Sequence, residues 1–225
     1  AGSVSTRWFR TRPWRSAAGA SLTFSLGLPL APQDWSGLSL AVGVSVAESL
    51  QPTLPAAGSS TPRVALKWPN DLWLGGAQGD RKLGGILVET ASFVGGASAG
   101  SPATAAHSGR YVVIGVGLNV LPQDAAGLSL PPGSLQEVEP GLDAPTALLR
   151  VVPPLVSMLQ AFAQYGFAPL QPRFGLRDAL AGRSVQLSDG TQGEAHGVGE
   201  DGALLVHTAR GMQAVTSAEI SVRPS

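Results

Sequence analysis

The sequence contains no cysteine among its 225 residues. This absence excludes disulfide bonds, thiolate catalysis, and cysteine-ligated zinc or iron–sulfur sites. An excess of one charge is also missing, because 15 basic residues balance 15 acidic residues. Since the chain has no net positive field, we do not expect DNA or RNA to be its main partner.

Long apolar runs and the common nucleotide-binding motifs are absent as well. Proline, glycine or serine interrupts the most apolar stretches, so no run of roughly 18 apolar residues predicts a membrane span. There is no Walker A sequence, and Gly115-Val116-Gly117 is too short for a dinucleotide fingerprint. The basic N-terminal segment is not followed by the apolar core of a signal peptide. We therefore expect a cytoplasmic protein without a membrane anchor.

Two features resemble catalytic or metal sites only superficially. GASAG at 96–100 matches a nucleophile elbow around Ser98. A true elbow joins a strand to a helix, whereas small-residue loop flanks this one on both sides. His107, His196 and His207 lack the spacing of metal ligands. We interpret all four residues as surface or structural groups.

Apolar periodicity predicts three main strands in the first part of the chain. They cover 21–30, 81–90 and 111–120, with Gly84-Gly85 interrupting the second. The third is apolar enough to be buried on both faces. Segment 91–109 is rich in small residues and predicts a surface loop.

Two helices are predicted between these strands and after them. One covers 35–51, with Ser36 as N-cap and with propensities that make it dependent on packing. The other is amphipathic from Thr146 to Phe162, and Pro153-Pro154 should kink it or start a second helix.

The pattern of apolar and turn-forming residues changes after Arg183. Short apolar runs alternate with turn dipeptides such as Asp189-Gly190 and Asp201-Gly202, at the spacing of hairpins in a small barrel. The sequence therefore predicts a domain of strands and helices at 1–178 and a small all-β domain at 179–225.

The stretch at 67–89 concentrates polar side chains that suit a binding site. Pro69 favours an extended Trp68, and Asn70-Asp71 suits a turn at a strand end. Lys82 lies beside two glycines, where a ligand can approach the backbone closely. These features predict a site for an anion or a nucleotide.

The N-terminal segment RWFRTRPWR at 7–15 interleaves arginines with aromatic rings. Such a pattern suits nucleic acid, since guanidinium groups pair with phosphates while rings stack on bases. It equally suits one small phosphorylated ligand.

Three blocks in fixed order make the site more specific: KWPNDL at 67–72, RKLGGILVE at 81–89 and VVIGVGLNV at 112–120. Their order and spacing resemble the biotin protein ligase family. PWRSAAGASLTFSL at 13–26 is similar to that family's W-x-S-x-x-G-x-x-L-x-x-S segment. The end of the chain, from LAGRSVQL onwards, resembles the family's C-terminal SH3-like domain.

The resemblance implies an α+β fold: a mixed β-sheet with packed helices, as in class II synthetases, followed by an SH3-like barrel. It implies a cytoplasmic ligase that activates biotin with ATP and Mg²⁺ to biotinyl-5′-AMP. Biotin would then pass to a lysine in the carrier domain of a biotin-dependent carboxylase. A homodimer is one possible assembly, and neither a DNA-binding domain nor a membrane partner is expected.

The resemblance also assigns site residues. Lys82 is implied to be catalytic, contacting the biotin carboxylate and the adenylate phosphate, where a cation offsets charge on the α-phosphate. Asp71 is implied to be catalytic beside the nucleotide and to bind Mg²⁺. The further residues implied are Gly85 and Leu87 lining the biotin pocket, Asn119 reading adenine, Lys67 and Asn70 supporting the motif, and Arg7, Arg10, Arg12 and Trp14 in the ligand loop.

The ligand loop departs from the family's G-R-G-R-R-G-R-x-W pattern. Thr6, Trp8 and Thr11 stand at glycine positions, and Phe9 replaces an arginine. Glycines let such a loop close over its ligand. The chain also begins after the family's Ser-Thr-Asn segment, so we expect the N-terminal part of the first domain to be incomplete or altered.

Two alternatives to an active ligase follow. The first is a catalytically impaired ligase-like protein that binds biotin, adenylate or a carrier partner without turnover. The second is a lipoate ligase, against which the SH3-like tail and the KWPND block argue.

Overall fold

The computed structural model describes residues 19–56, 58–76, 79–94, 108–123, 131–216 and 222–224. In this part of the chain, the first sheet and its helices precede a second sheet. The first set comprises β1 (Ser21–Pro29), α1 (Leu38–Leu50), β2 (Arg63–Lys67), β3 (Asp71–Gly75), β4 (Arg81–Val94), β5 (Ser108–Asn119), α2 (Ala144–Tyr165) and α3 (Gln171–Gly175). The second set comprises β6 (Ser184–Leu187), β7 (Gln192–Val198), β8 (Leu204–Thr208), β9 (Gly211–Val215) and β10 (Val222–Pro224).

The first sheet has the strand order β1-β5-β4-β3-β2, and neighbouring strands are antiparallel. A parallel bridge between Leu66 and Asp178 adds mixed pairing at the β2 edge. Helix α1 packs on β2, β3 and β4, while α2 packs on α1 and β1. The sheet thus buries one face under helices, and its other face carries the polar residues discussed below.

Helix α1 depends on packing, as the sequence predicts. Ten of its 13 residues are buried, among them Leu38, Ala41 and Val44. The N-cap is Gly37, in a left-handed conformation with φ 75°, so the prediction of Ser36 is wrong by one residue. Phe167 fills the space that a side chain at position 37 would need.

Helix α2 is continuous through Pro153 and Pro154, so the predicted kink or second helix is wrong. Both prolines lie on the exposed side, where water can hydrogen-bond the carbonyl groups that lose their N–H partners. The helix starts two residues earlier than predicted, because the Asp143 side chain accepts from Thr146 N at 2.9 Å.

By length and composition alone, α2 could cross a membrane, with a mean hydropathy of 1.4 over its most apolar window. Its buried residues form one stripe packed against the rest of the fold, which is the pattern of an amphipathic core helix. The stripe comprises Ala147, Val151, Leu155, Met158, Leu159 and Phe162.

Strands β4 and β5 are longer than the sequence predicts. Their pairing continues from Ala91 opposite Tyr111 to Val94 opposite Ser108, so the predicted loop at 91–109 is too long at both ends. The prediction that β5 is buried on both faces is also wrong, since Tyr111 and Val113 are exposed. Their side chains lie on the face of the sheet away from the helices.

The second sheet is also antiparallel, with the order β10-β6-β7-β8-β9. Val185, Ala195, Leu204, Val206 and Val215 are buried in its interior. An α+β fold followed by a small barrel is therefore confirmed, while the domain boundary at 178/179 stays a prediction.

The segment that joins the two sheets is attached to β2. Leu66 N donates to Arg177 O at 2.7 Å, and Ala179 N donates to Leu66 O at 2.9 Å. Between them, Asp178 accepts from Leu180 N through Oδ1 at 2.8 Å, while its Oδ2 is buried without a hydrogen bond in the described part of the chain. Burial raises the pKa of Asp178 above its ordinary 3.8, although hydrogen bonds from the Leu180 and Ala181 backbone oppose the shift.

This raised pKa gives a pH-dependent prediction for Asp178→Asn. As the pH rises from 3.8 towards the higher pKa of the folded state, the unfolded chain ionises first. The free energy of unfolding then falls by at most about 1.4 kcal/mol per pH unit from this group. Above the folded pKa the loss is complete. We expect urea unfolding from pH 4 to 7 to show stability falling less in Asp178→Asn than in the wild type; parallel curves would contradict this assignment.

Candidate functional site

The turn between β2 and β3 lies against the neighbouring strand β4. Asn70 Nδ2 donates to Ile86 O at 2.9 Å, and Ile86 N donates to Asn70 O at 2.9 Å. Lys67 and Asp71 close the turn as a cross-strand pair. The turn therefore presents Asp71 at a fixed place beside the start of β4.

Two lysines meet at the Asp71 carboxylate. Lys82 Nζ is 2.6 Å from Oδ1, and Lys67 Nζ is 4.0 Å from Oδ2. These are the only two lysines in the sequence, which otherwise carries its positive charge on arginine. Lysine places a compact, mobile charge where arginine would place a planar fork. The Lys67 side chain is 12% exposed and that of Lys82 51%, so Lys82 is the cation that an incoming anion can reach.

Glycines open the sheet surface beside this pair. Gly85 lies opposite Asp71 on one side and Gly117 on the other, and Leu87 lies opposite Gly115. A Cβ on Gly85 would lie 3.6 Å from both Asp71 Oδ1 and Lys82 Nζ. We call the row of Gly85, Gly115 and Gly117 the glycine lane; Gly85 and Gly117 are partly exposed and Gly115 is buried. A row without side chains beside Lys82 suits an apolar ligand whose anionic end reaches that lysine.

Gly84, unlike its neighbour Gly85, is required for the close packing of β4 against β5. A Cβ at Gly84 would lie 2.3 Å from Gly117 O and 2.8 Å from Leu118 Cδ2. Only glycine lets β4 and β5 approach this closely. The prediction that the two glycines interrupt the strand is wrong, since β4 runs through both.

Asn119 lies beneath the Lys82 backbone. It is 5% exposed, and its Nδ2 donates to Lys82 O at 3.3 Å. Gln123 Nε2 donates to Asn119 Oδ1 at 2.9 Å, and Gly133 N donates to Lys82 O at 2.9 Å. These contacts fix the end of β5 against Lys82, while adenine reading by Asn119 stays a prediction.

Arg81 and Glu137 support the site from behind, and sequence reasoning missed both. The Arg81 guanidinium pairs with both oxygens of the Glu137 carboxylate. Burial alone would raise the pKa of Glu137, but hydrogen bonds from Arg81 and Ser134 outweigh it and hold the pKa below its ordinary value. The pair attaches the segment before α2 to β4 beside Lys82. No local pattern reveals partners so distant in sequence.

Several predicted residues fall outside the described part of the chain. These are Arg7, Arg10, Arg12 and Trp14 of the ligand loop, together with Ser98 and His107. The two other histidines, His196 and His207, pack edge to face with ring centroids 5.9 Å apart. Among the described residues, no group of three or more His, Asp or Glu side chains could hold a metal ion.

Two segments of the chain match known protein-family models. Residues 10–101 match the model of the Biotin/lipoate A/B protein ligase family, and residues 182–223 match that of the Biotin protein ligase C terminal domain. The chain is 30% identical to the biotin–[acetyl-CoA-carboxylase] ligase of Paracoccus denitrificans, over 94% of this chain and 83% of that protein. The chain belongs to the biotin protein ligase family.

Other relatives agree with this membership. The chain is 33% identical to the bifunctional ligase/repressor BirA of Escherichia coli over 95% of its own length, and it spans 62% of that protein. Its fold is similar to that of the biotin protein ligase of Aquifex aeolicus in complex with biotin and ATP. That match has a TM-score of 0.71 and 25% identity and covers 95% of this chain and 82% of the other. The assignment of the glycine lane and the Asp71–Lys82 pair to a ligand site stays a prediction.

Proposed function

We propose that this chain is an ATP-dependent biotin protein ligase. It forms biotinyl-5′-AMP and transfers biotin to a lysine in the carrier domain of a cytoplasmic biotin-dependent carboxylase. The observation that carries the proposal is the placement of the mobile Lys82 cation, 2.6 Å from Asp71, at the end of the glycine lane. Biotin has the matching shape, with an apolar ring and chain that end in a carboxylate.

Binding begins with an exchange of partners at Lys82. The lysine is half-exposed and ends a flexible side chain, so it can turn from Asp71 towards an arriving carboxylate. Gly85 and Leu87 would contact the body of the ligand. This arrangement holds the carboxylate at one end of the sheet, next to the turn that carries Asp71.

Activation is a displacement at the α-phosphorus of ATP. A carboxylate oxygen of biotin attacks phosphorus, a C–O–P linkage forms, and the bond to pyrophosphate breaks. Negative charge grows on the α-phosphate oxygens during this step, and the Lys82 ammonium stabilises it. Asn119 and Gly133 hold the Lys82 carbonyl and so restrict where that ammonium can move.

The residues present fit a magnesium ion that takes one ligand from the protein and the others from the nucleotide and water. Asp71 is a single carboxylate, and Mg²⁺ is commonly held by one or two carboxylates with the remaining ligands from phosphates and water. Asp71 would be the protein ligand, with the nucleotide supplying the others. When bound, Mg²⁺ would neutralise charge on the leaving pyrophosphate.

Transfer requires the carrier lysine to reach the acyl carbon. Its amine attacks that carbon, an amide bond forms, and AMP leaves with the electrons of the broken C–O bond. The carrier must therefore bind close to the glycine lane.

The outer half of β4 offers a docking edge for the carrier. In the described part of the chain, β3 pairs with β4 only between Arg81 and Gly85, whereas β5 pairs with it as far as Val94. The Ile86 backbone points towards Asn70, on the β3 side. By alternation, the N–H and C=O groups of Val88 and Thr90 point to that same open side. An added strand of a partner would satisfy them.

Thr90→Pro tests this edge. Proline removes the N–H on the open side while leaving the pairing with β5 intact, because that pairing uses the alternate residues. We expect biotin transfer to a carrier domain to fall roughly tenfold or more, since a lost hydrogen bond and a ring at the edge each weaken docking. Formation of biotinyl-5′-AMP should be unchanged.

Thr90→Ala is the matched control, because it changes the side chain and keeps the N–H. It should transfer biotin at the wild-type rate. Normal transfer by Thr90→Pro, or an equal loss in both variants, would exclude docking through this edge.

The proposed function itself is tested by incubating the purified chain with biotin, Mg²⁺ and α-labelled ATP. Protein-retained biotinyl-5′-AMP with released pyrophosphate is the expected result. Pyrophosphate without retained adenylate would indicate activation with leakage. Neither product would leave the catalytically impaired alternative, and replacing biotin by lipoate would detect the lipoate ligase.

A further inference from the structure

The tip of the β7–β8 hairpin contacts the turn that carries Asp71. Trp68 is 1% exposed, and its indole Nε1 donates to Gly202 O at 3.1 Å. Trp68 stands between Lys67 and Pro69, three residues before Asp71. The second sheet therefore reaches the first at the same turn that holds the catalytic carboxylate.

This hairpin tip, residues 199–203, is fixed by its own hydrogen bonds. Gly199 N donates to Ala203 O at 2.9 Å, and Gly202 N donates to Gly199 O at 2.9 Å. Ala203 N donates to Asp201 Oδ1 at 3.0 Å. A tip ordered in this way presents the Gly202 carbonyl as a fixed acceptor.

Gly202 is also packed too closely for any other residue. Its φ is 78°, and a Cβ there would lie 2.7 Å from Gly37 Cα at the start of α1. The hairpin tip is thus pressed between α1 and the Trp68 ring. It cannot shift without moving one of the two.

We infer that Trp68 is a positioning residue through which the hairpin tip sets the place of Asp71 relative to Lys82. One side of the turn is fixed by the Trp68–Gly202 hydrogen bond and the other by the two hydrogen bonds between Asn70 and Ile86. Losing the first removes the hydrogen bond from the second sheet and leaves the turn held by its pairing with β2 and its hydrogen bonds to β4. In the intact protein, the second sheet thus affects the reaction through the position of Asp71, although none of its own groups touches the substrate.

The test compares Trp68→Phe with Gln171→Met. Phenylalanine keeps an aromatic ring and removes the N–H. Gln171 Nε2, on α3, donates to Val198 O of β7 at 2.9 Å, and this hydrogen bond does not involve the Asp71 turn. Each change removes one hydrogen bond between the second sheet and the part of the chain that precedes it, so Gln171→Met controls for a general loosening.

The first readout does not require activity. Reductive methylation with ¹³C-formaldehyde labels the two lysine side chains and the N-terminal amine, and the signal lost in the Lys82→Arg variant is that of Lys82. We expect the Lys82 signal to move towards that of a free lysine in Trp68→Phe and to stay in place in Gln171→Met. Equal behaviour of the two variants would overturn the inference.

The second readout is the rate of biotinyl-5′-AMP formation, and this arm rests on the proposed function. We expect kcat to fall roughly tenfold in Trp68→Phe, with a small change in KM for biotin, because a displaced catalytic group slows chemistry more than it weakens ligand binding. A wild-type rate in Trp68→Phe would overturn the inference. If the wild-type chain forms no adenylate, the proposed function fails, while the NMR signal still decides the positioning role.

Asp201→Ala provides a milder variant if Trp68→Phe does not fold. It removes the carboxylate that accepts from Ala203 N and leaves Trp68 unchanged. A displaced Lys82 signal is expected here too. An unmoved signal together with a normal rate would overturn the inference.

Discussion

Replacing Lys82 by alanine should lower the rate of biotinyl-5′-AMP formation by roughly 10²–10³-fold, the usual effect of removing one group that stabilises transition-state charge. Biotin and adenylate should also bind more weakly, because Lys82 is the exposed cation at the end of the glycine lane. Rates with α-labelled ATP and biotin affinity by calorimetry measure the two effects. The melting temperature should change by no more than about 2 °C, since half-exposed surface residues contribute little to stability.

Two companion variants accompany this prediction: one separates charge from geometry at position 82, and the other is a control at position 150. Lys82→Arg keeps the charge but replaces a compact ammonium by a planar fork, so we expect only partial recovery of the rate. Arg150→Met removes the exposed ion pair between Arg150 on α2 and Glu139 before the helix, and should react normally. Adenylate formation at the wild-type rate in Lys82→Ala would exclude Lys82 from catalysis.

Much of the fold could be predicted because its signals are local. The apolar face of α2 repeats with helical spacing, and the turn dipeptides after Arg183 mark the hairpins of the second sheet. Errors arose where tertiary contacts decide the outcome. The prolines at 153 and 154 face solvent, and pairing between strands extends β4 and β5 into small-residue sequence that has no strand signal of its own.

The residues of the candidate site also fall into two groups: those that local sequence predicts and those that only tertiary contacts reveal. Lys82, Asp71, Lys67 and Gly85 come from two short, recognisable blocks, and the structure brings them together at one end of the sheet. Their supports come from distant segments. Glu137 lies 56 residues after Arg81, and Gly202 lies 134 residues after Trp68, so a single sequence offers no way to pair them. Long-range contacts of this kind follow from packing, which local patterns do not encode.

The two adjacent glycines of β4 should respond in opposite ways to the same added methyl group. In Gly84→Ala, the new Cβ would lie 2.3 Å from Gly117 O, so β4 and β5 must separate. We expect a loss of about 3 kcal/mol or more in the free energy of unfolding, and a fall of roughly 10 °C in melting temperature. Thermal and urea unfolding measure both.

In Gly85→Ala, the Cβ would make ordinary contacts at 3.6 Å with Asp71 and Lys82. The fold should therefore stay within about 1 kcal/mol of the wild type, since nothing in the described structure must move. The methyl group instead occupies the glycine lane, so biotin affinity should fall roughly tenfold or more. Because the chemical change is the same, each variant controls for the other. Equal loss of stability in both would mean that Gly85 is kept for the sheet, whereas normal biotin binding by Gly85→Ala would place the ligand elsewhere on the protein.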